Sequence, residues 1–183
     1  MTVEGGGFTN GFSVSDGSLT ITGGEIGDRL STSFYGIINL SGGIVGSDFR
    51  AGNLSTINIS GGQVGTGFIA SYGSEVNISG GAFGQAFTAY GGSTVNLFVR
   101  ELLLDGLPVG LVEGVPFVVT DRDGTLLTAI LADGSSFDLT LNQNNLFGQD
   151  WITADATLSA TLVPEPASLV LLVGGGLLLG RKR

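Results

Sequence analysis

The chain has 183 residues, with 7 basic and 16 acidic side chains, a net charge of −9, and 33 glycines, but neither cysteine nor histidine. This composition excludes disulfides, zinc sites of the usual kind, thiol nucleophiles and imidazole-dependent triads, and so acidic a body repels nucleic acid and anionic membranes. The length suffices for one domain with a real core, and glycine this frequent without a collagen triplet points to tight turns recurring at a fixed spacing.

The chain opens on Met1-Thr2-Val3-Glu4-Gly5, which has neither the basic end nor the apolar run of a secretory leader. The first four residues fit the tail of a repeat begun earlier, so an N-terminally truncated sequence or a misplaced start is expected. Paired glycines then recur at Gly5/Gly6, Gly23/Gly24, Gly42/Gly43, Gly61/Gly62 and Gly80/Gly81, in steps of 18, 19, 19 and 19. Phe12, Leu30, Phe49, Phe68 and Phe87 keep the same step, as do Ile26, Val45, Val64 and Phe83. Before each later glycine pair lies an alternating tetrapeptide: Leu19-Thr20-Ile21-Thr22, Ile38-Asn39-Leu40-Ser41, Ile57-Asn58-Ile59-Ser60 and Val76-Asn77-Ile78-Ser79. Val95-Asn96-Leu97 opens the pattern once more.

Period-two alternation inside a repeat of fixed length predicts a parallel β-solenoid over residues 1–97, in which each copy is one coil and stacking completes the core. At about 3.3 Å per residue the perimeter is near 60 Å, enough for two or three short sides, and about five coils at roughly 4.8 Å give a stack about 24 Å tall. The phenylalanine and valine columns face inward. Thr20, Asn39, Asn58, Asn77 and Asn96 face outward, followed two residues on by Thr22, Ser41, Ser60 and Ser79.

Beyond Asn96 the step is lost, and residues 98–162 read as strands and turns: 116–120, a turn at Asp121-Arg122-Asp123-Gly124, 125–131, a turn at Ala132-Asp133-Gly134, 136–141, a polar loop over 143–150, and a last strand over 156–163. This all-β segment is expected to cap the solenoid, because exposed stacked edges invite end-to-end association.

The last twenty-one residues, 163–183, are Val163, Pro164, Glu165 and Pro166, an apolar run over 167–180, and Arg181, Lys182 and Arg183. An extended segment thus precedes a stretch suited to a transmembrane-type helix, with a cationic cluster behind it as a stop. Fourteen apolar residues span only about 21 Å against a hydrocarbon core of roughly 30 Å, which suits transient insertion better than a lasting anchor. The order resembles the PEP-CTERM sorting signal of bacterial surface proteins. That resemblance implies export to the cell envelope or extracellular matrix, processing at Pro164, Glu165 and Pro166 by an integral-membrane exosortase, and a partner role for that enzyme. The repeat-plus-cap arrangement is also similar to solenoids that carry such signals.

Three chemistries compete for the body of the chain. A structural or adhesive role needs only a rigid, acidic scaffold without cofactors. A carbohydrate- or ice-binding role would use the outward face of Asn39, Ser41, Asn58, Ser60, Asn77 and Ser79, although regular Thr-x-Thr arrays occur only at Thr20-Ile21-Thr22. The same residues are better suited to ladders that simply stabilise the strands. A polysaccharide lyase or glycosidase would need clustered carboxylates, about 5–10 Å apart for hydrolysis. Asp16, Asp28, Asp48 and Glu75 occupy different columns, and Arg29 and Arg50 make only a loose basic pair. Neither the acidic turn at residue 121 nor the Gly23–Asp28 segment supplies the six to eight oxygens of a calcium site. The reading is therefore a non-enzymatic surface or exopolysaccharide-matrix component.

Overall fold

The computed structural model describes residues 1–144 and 149–164. Every regular element among them is a β-strand. The expected helix over 167–180 lies outside the described residues, as do Glu165, Pro166, Arg181, Lys182 and Arg183; among the described residues no helix is long and apolar enough to cross a membrane.

The 19-residue step becomes a right-side-up stack of three-sided coils. On the first side, Thr2–Val3, Ser18–Ile21, Ile37–Leu40, Thr56–Val64, Glu75–Phe83 and Thr94–Leu104 pair in parallel, with Ile57 opposite Ile38 and Val76, and Asn58 opposite Asn39 and Asn77. The second side stacks Phe8, Ile26, Val45, Val64 and Phe83. The third side runs from Ser13–Ser15 through Ser31–Ser33, Arg50–Ala51 and Ile69–Ala70 to Thr88–Ala89. Leu30, Phe49, Phe68 and Phe87 are buried as the spacing predicts, whereas Phe12 at the first coil is only half-buried. Ring centroids of Phe49 and Phe68 lie 5.4 Å apart and those of Phe68 and Phe87 4.9 Å apart, so the interior column is continuous.

Only the first corner of each coil is made by the glycine pair, and its two members are needed for different reasons. A Cβ on Gly42, Gly61 or Gly80 would lie 2.5, 2.7 or 2.6 Å from a carbonyl oxygen of the preceding coil. The second glycines, including Gly43 and Gly62, instead adopt φ of +83° and +87°. The second corner turns on a left-handed residue, Arg29, Asp48, Gly67 or Ala86. There, Asn10 Oδ1 accepts the Asp28 N–H and Asp28 Oδ1 accepts the Ser47 N–H, so the acid of the glycine-rich segment serves the turn. The third corner takes consecutive left-handed residues, including Phe34-Tyr35 and Asn53-Leu54, at a cost of about 1–2 kcal/mol per non-glycine residue.

The capping segment differs from expectation in one important respect. Trp151–Ile152 and Thr157–Leu162 return to the stack: Ala89 pairs in parallel with Ile152, and Asn96 with Ser159, at an offset of 63 residues. The chain between them is an excursion. It begins because Val99 and Arg100 occupy the positions where the next glycine pair would fall, so Thr94–Leu104 runs straight past the corner. Asp123–Leu131 pairs antiparallel with its far half, Ser136–Asn142 completes the hairpin, and Phe137 closes the phenylalanine column, 5.7 Å from Phe87 and 5.1 Å from Phe83.

One aspartate stands over each corner of the coil running from Glu75 to Ser93. Asp133 Oδ2 accepts the Gly81 N–H and Asp150 Oδ1 the Phe87 N–H, and the Asp155 carboxylate lies close enough to the N–H groups of Gly91 and Gly92 for them to favour its charge. Burial alone would raise the Asp133 carboxyl. Hydrogen bonds from the Ser135 hydroxyl and N–H and from Gly81, with the Arg100 charge, hold it below the ordinary range. The Thr153 hydroxyl chiefly lowers Asp155 in the same way. Finally Phe117–Val118 lies antiparallel on Thr157–Leu162 and covers the outer edge, while the buried Arg122 guanidinium donates to the carbonyls of Val119, Thr153 and Ala156. Desolvation lowers its pKa.

Two outcomes follow from these corners. Gly61→Val is expected to lower stability by more than about 2 kcal/mol, whereas Gln63→Lys on the exposed side is expected to change it by less than about 0.5 kcal/mol, checked by thermal and denaturant unfolding. Because Asp133 and Asp155 have depressed folded-state pKa values, their contribution is complete above the ordinary carboxylate value of 3.8 and is lost as pH falls below it. Unfolding measured across that range is expected to show a shallower loss for the Asp133→Asn/Asp155→Asn double variant than for the parent chain.

Candidate functional site

The outward face predicted to carry Asn39, Ser41, Asn58, Ser60, Asn77 and Ser79 is assembled in register on the first side of the solenoid. Parallel pairing places the asparagines directly above one another, because each side chain leaves its strand at the same position of the pleat. They form an amide ladder. Asn58 Nδ2 donates to Asn39 Oδ1 at 2.8 Å, Asn77 Nδ2 to Asn58 Oδ1 at 3.0 Å, and Asn96 Nδ2 to Asn77 Oδ1 at 2.9 Å. The returning strand ends it, with Ser159 Oγ donating to Asn96 Oδ1 at 2.9 Å.

The ladder supports the stabilising role the sequence allowed. Half-buried amides that satisfy one another in a single direction align the coils and oppose a slip in register. The hydroxyl column behaves less uniformly. Ser41 and Ser79 point back to the carbonyls of Ile21 and Ile59, at 3.5 and 3.4 Å. Ser60 is exposed, and its hydroxyl has no protein partner among the described residues.

Two residues outside the predicted set complete a concave site. A hollow of ≈ 430 Å³ is lined by Asn58, Ile59, Ser60, Glu75, Asn77, Ser79 and Phe98. Glu75 Oε1 accepts from Asn77 Nδ2 at 3.1 Å and from Asn96 Nδ2 at 3.5 Å, and Oε2 has no donor among the described residues. Phe98 stands nineteen residues after Ser79, in the column otherwise filled by Thr22, Ser41, Ser60 and Ser79. An aromatic ring in a column of small hydroxyl residues was the available sequence signal for this wall. It becomes a wall only because the strand runs straight past the missing corner.

The other acids are used elsewhere. Asp150 gives one oxygen to the Phe87 N–H and the other to the Thr140 N–H, although it borders a hollow of ≈ 550 Å³ between the solenoid and the hairpin. Arg29 and Arg50 line a third hollow with Ser31 and Asp48. Arg122, in the acidic turn, is a structural tie, and among the described residues no group of three or more His, Cys, Asp or Glu is placed to hold a metal ion.

The fold defines the class: a parallel β-solenoid with an inserted hairpin and a returning terminal coil. No protein-family model matches the chain, and neither a curated protein nor a solved structure matches it significantly.

Asn77→Asp is expected to cost about 1–3 kcal/mol, because it sets an acceptor-only group against Asn58 Oδ1 and Glu75 Oε1, leaving the first without its donor and the second with Asn96 Nδ2 alone. Gln63→Asp on the exposed second side is expected to change stability by less than about 0.5 kcal/mol. Denaturant unfolding of the two variants at neutral pH checks the difference.

Proposed function

We infer that this chain is a non-catalytic, exported component of a bacterial surface or exopolysaccharide matrix, delivered by a PEP-CTERM-type tail. The observation that carries the reading is the way the chain leaves the body. Its last strand ends at Leu162, Pro164 is exposed immediately beyond, and the sequence continues through Glu165, Pro166, the apolar run and Arg181, Lys182 and Arg183. A sorting enzyme needs an accessible motif, and its first residue, Pro164, is exposed beyond the last strand. Exosortase is the partner the resemblance implies. The acidic stack, closed at its C-terminal end, provides a rigid body for display, and the chain's net charge of −9 disfavours nucleic acid as a partner.

A second reading is favoured by the hollow at Phe98. A face of amides and hydroxyls beside an aromatic wall and a carboxylate suits polyhydroxyl ligands, so the displayed body also serves as a carbohydrate-binding module. The hydrolytic alternative has less support, since among the described residues Glu75 is the only carboxylate lining that hollow.

Mass spectrometry of the C-terminal peptide from envelope and medium fractions tests the sorting reading. A terminus between Pro164 and Pro166, with or without added mass, is the expected result. Mature envelope protein that retains Arg181, Lys182 and Arg183 would overturn it.

A further inference from the structure

We propose that the hollow bounded by Phe98 and Glu75 is a subsite for one sugar unit of a neutral glycan, a proposal that rests on the carbohydrate-binding reading of the asparagine face. Three unspent polar valences converge on it. Glu75 Oε2 has no donor among the described residues, the Ser60 hydroxyl has no protein partner among them, and Asn58 uses one of its two amide protons on Asn39. A ligand that fits must offer hydroxyl hydrogens to a carboxylate, accept from an amide and a hydroxyl, and lay an apolar face against Phe98 within a few ångströms. A pyranose ring does all three, since its hydroxyls lie around the edge and its C–H bonds on the faces.

The same features disfavour other ligands. Glu75 and the net charge of −9 oppose an anionic sugar, a phosphate or a nucleic acid. A peptide adding as a strand needs free backbone groups, and on this side they are taken up by rungs on both neighbours from Ser18–Ile21 to Thr94–Leu97. The serine and asparagine columns continue from the hollow toward Asn39 and Ser41, so further units of a chain would meet repeated amides and hydroxyls at the coil spacing of about 4.8 Å. Phe98 closes the row at the other end.

The test is a titration of the full chain, 15N-labelled, with cellohexaose, maltohexaose and laminarihexaose separately, and with hexagalacturonate as the charged counterpart. At least one neutral hexasaccharide is expected to shift the side-chain amide signals of Asn58 and Asn77, while hexagalacturonate leaves them in place. Phe98→Ala and Glu75→Gln are each expected to weaken that binding about tenfold, as loss of a stacking face or of a charge-assisted hydrogen bond does. Glu75→Gln keeps an acceptor for the ladder amides, and thermal unfolding confirms that it is folded. Neutral-glycan binding that is unchanged in both variants but lost in Ser41→Trp would overturn the subsite and leave the carbohydrate-binding reading standing. No shift with any neutral hexasaccharide would overturn both.

Discussion

The structure depends on how closely one coil approaches the next at the glycine corner. Parallel strands keep their ladder only if the coils remain about 4.8 Å apart through the turns as well as along the sides. At the first corner the carbonyl of one coil occupies the space where a Cβ on the next coil's glycine would stand, 2.5 Å away for Gly42 and 2.7 Å for Gly61. Glycine there is a packing requirement as well as a conformational one. The interior phenylalanine column and the amide ladder both follow from corners that superpose. The second corner is as close at Gly46, Gly65 and Gly84, where a Cβ would lie 2.8, 2.7 and 2.7 Å from backbone of the preceding coil, whereas the left-handed positions at the second and third corners tolerate Asp48 or Tyr35.

A stack of identical coils has no natural end, and this chain supplies one with different chemistry at each level. The hairpin carrying Phe137 covers the aromatic interior. Asp133 and Asp150 accept corner N–H groups of the Glu75–Ser93 coil, and Asp155 stands beside its third corner. A short antiparallel strand, Phe117–Val118, shields the last edge, and Arg122 ties that strand's flank to the returning coil through three carbonyls. Each device satisfies backbone groups that would otherwise template another strand.

The candidate binding surface is inseparable from this architecture. The asparagines align the coils first, and the valences left over after that alignment are what a ligand would meet. Glu75 shows the division most clearly, with one oxygen held by two ladder amides and the other without a donor among the described residues. Phe98 joins the site because the solenoid changes direction there. The point where the repeat breaks down is therefore the point where the flat face becomes concave, which is the shape small ligands require.

Much of this was legible in the sequence, because a solenoid writes its geometry as a period. Gly42, Gly61 and Gly80 gave the corners, Leu30, Phe49, Phe68 and Phe87 the interior, and Asn39, Asn58 and Asn77 the outward ladder, since one step of nineteen residues brings each group back to the same place. The return of Trp151–Leu162 was not legible, because the long excursion separates it from its partners by 63 residues and no glycine pair marks it. Arg122 read as part of an acidic turn, and nothing local shows that its guanidinium meets the carbonyls of Thr153 and Ala156. The sequence by itself determined the coil, its corners and which side chains face out, because those are set by local periodicity and by the space available to a Cβ. The tertiary structure alone decided where the stack ends, which acids cap it and that Glu75 and Phe98 share a hollow with Asn58 and Asn77, because these contacts join segments that no period relates.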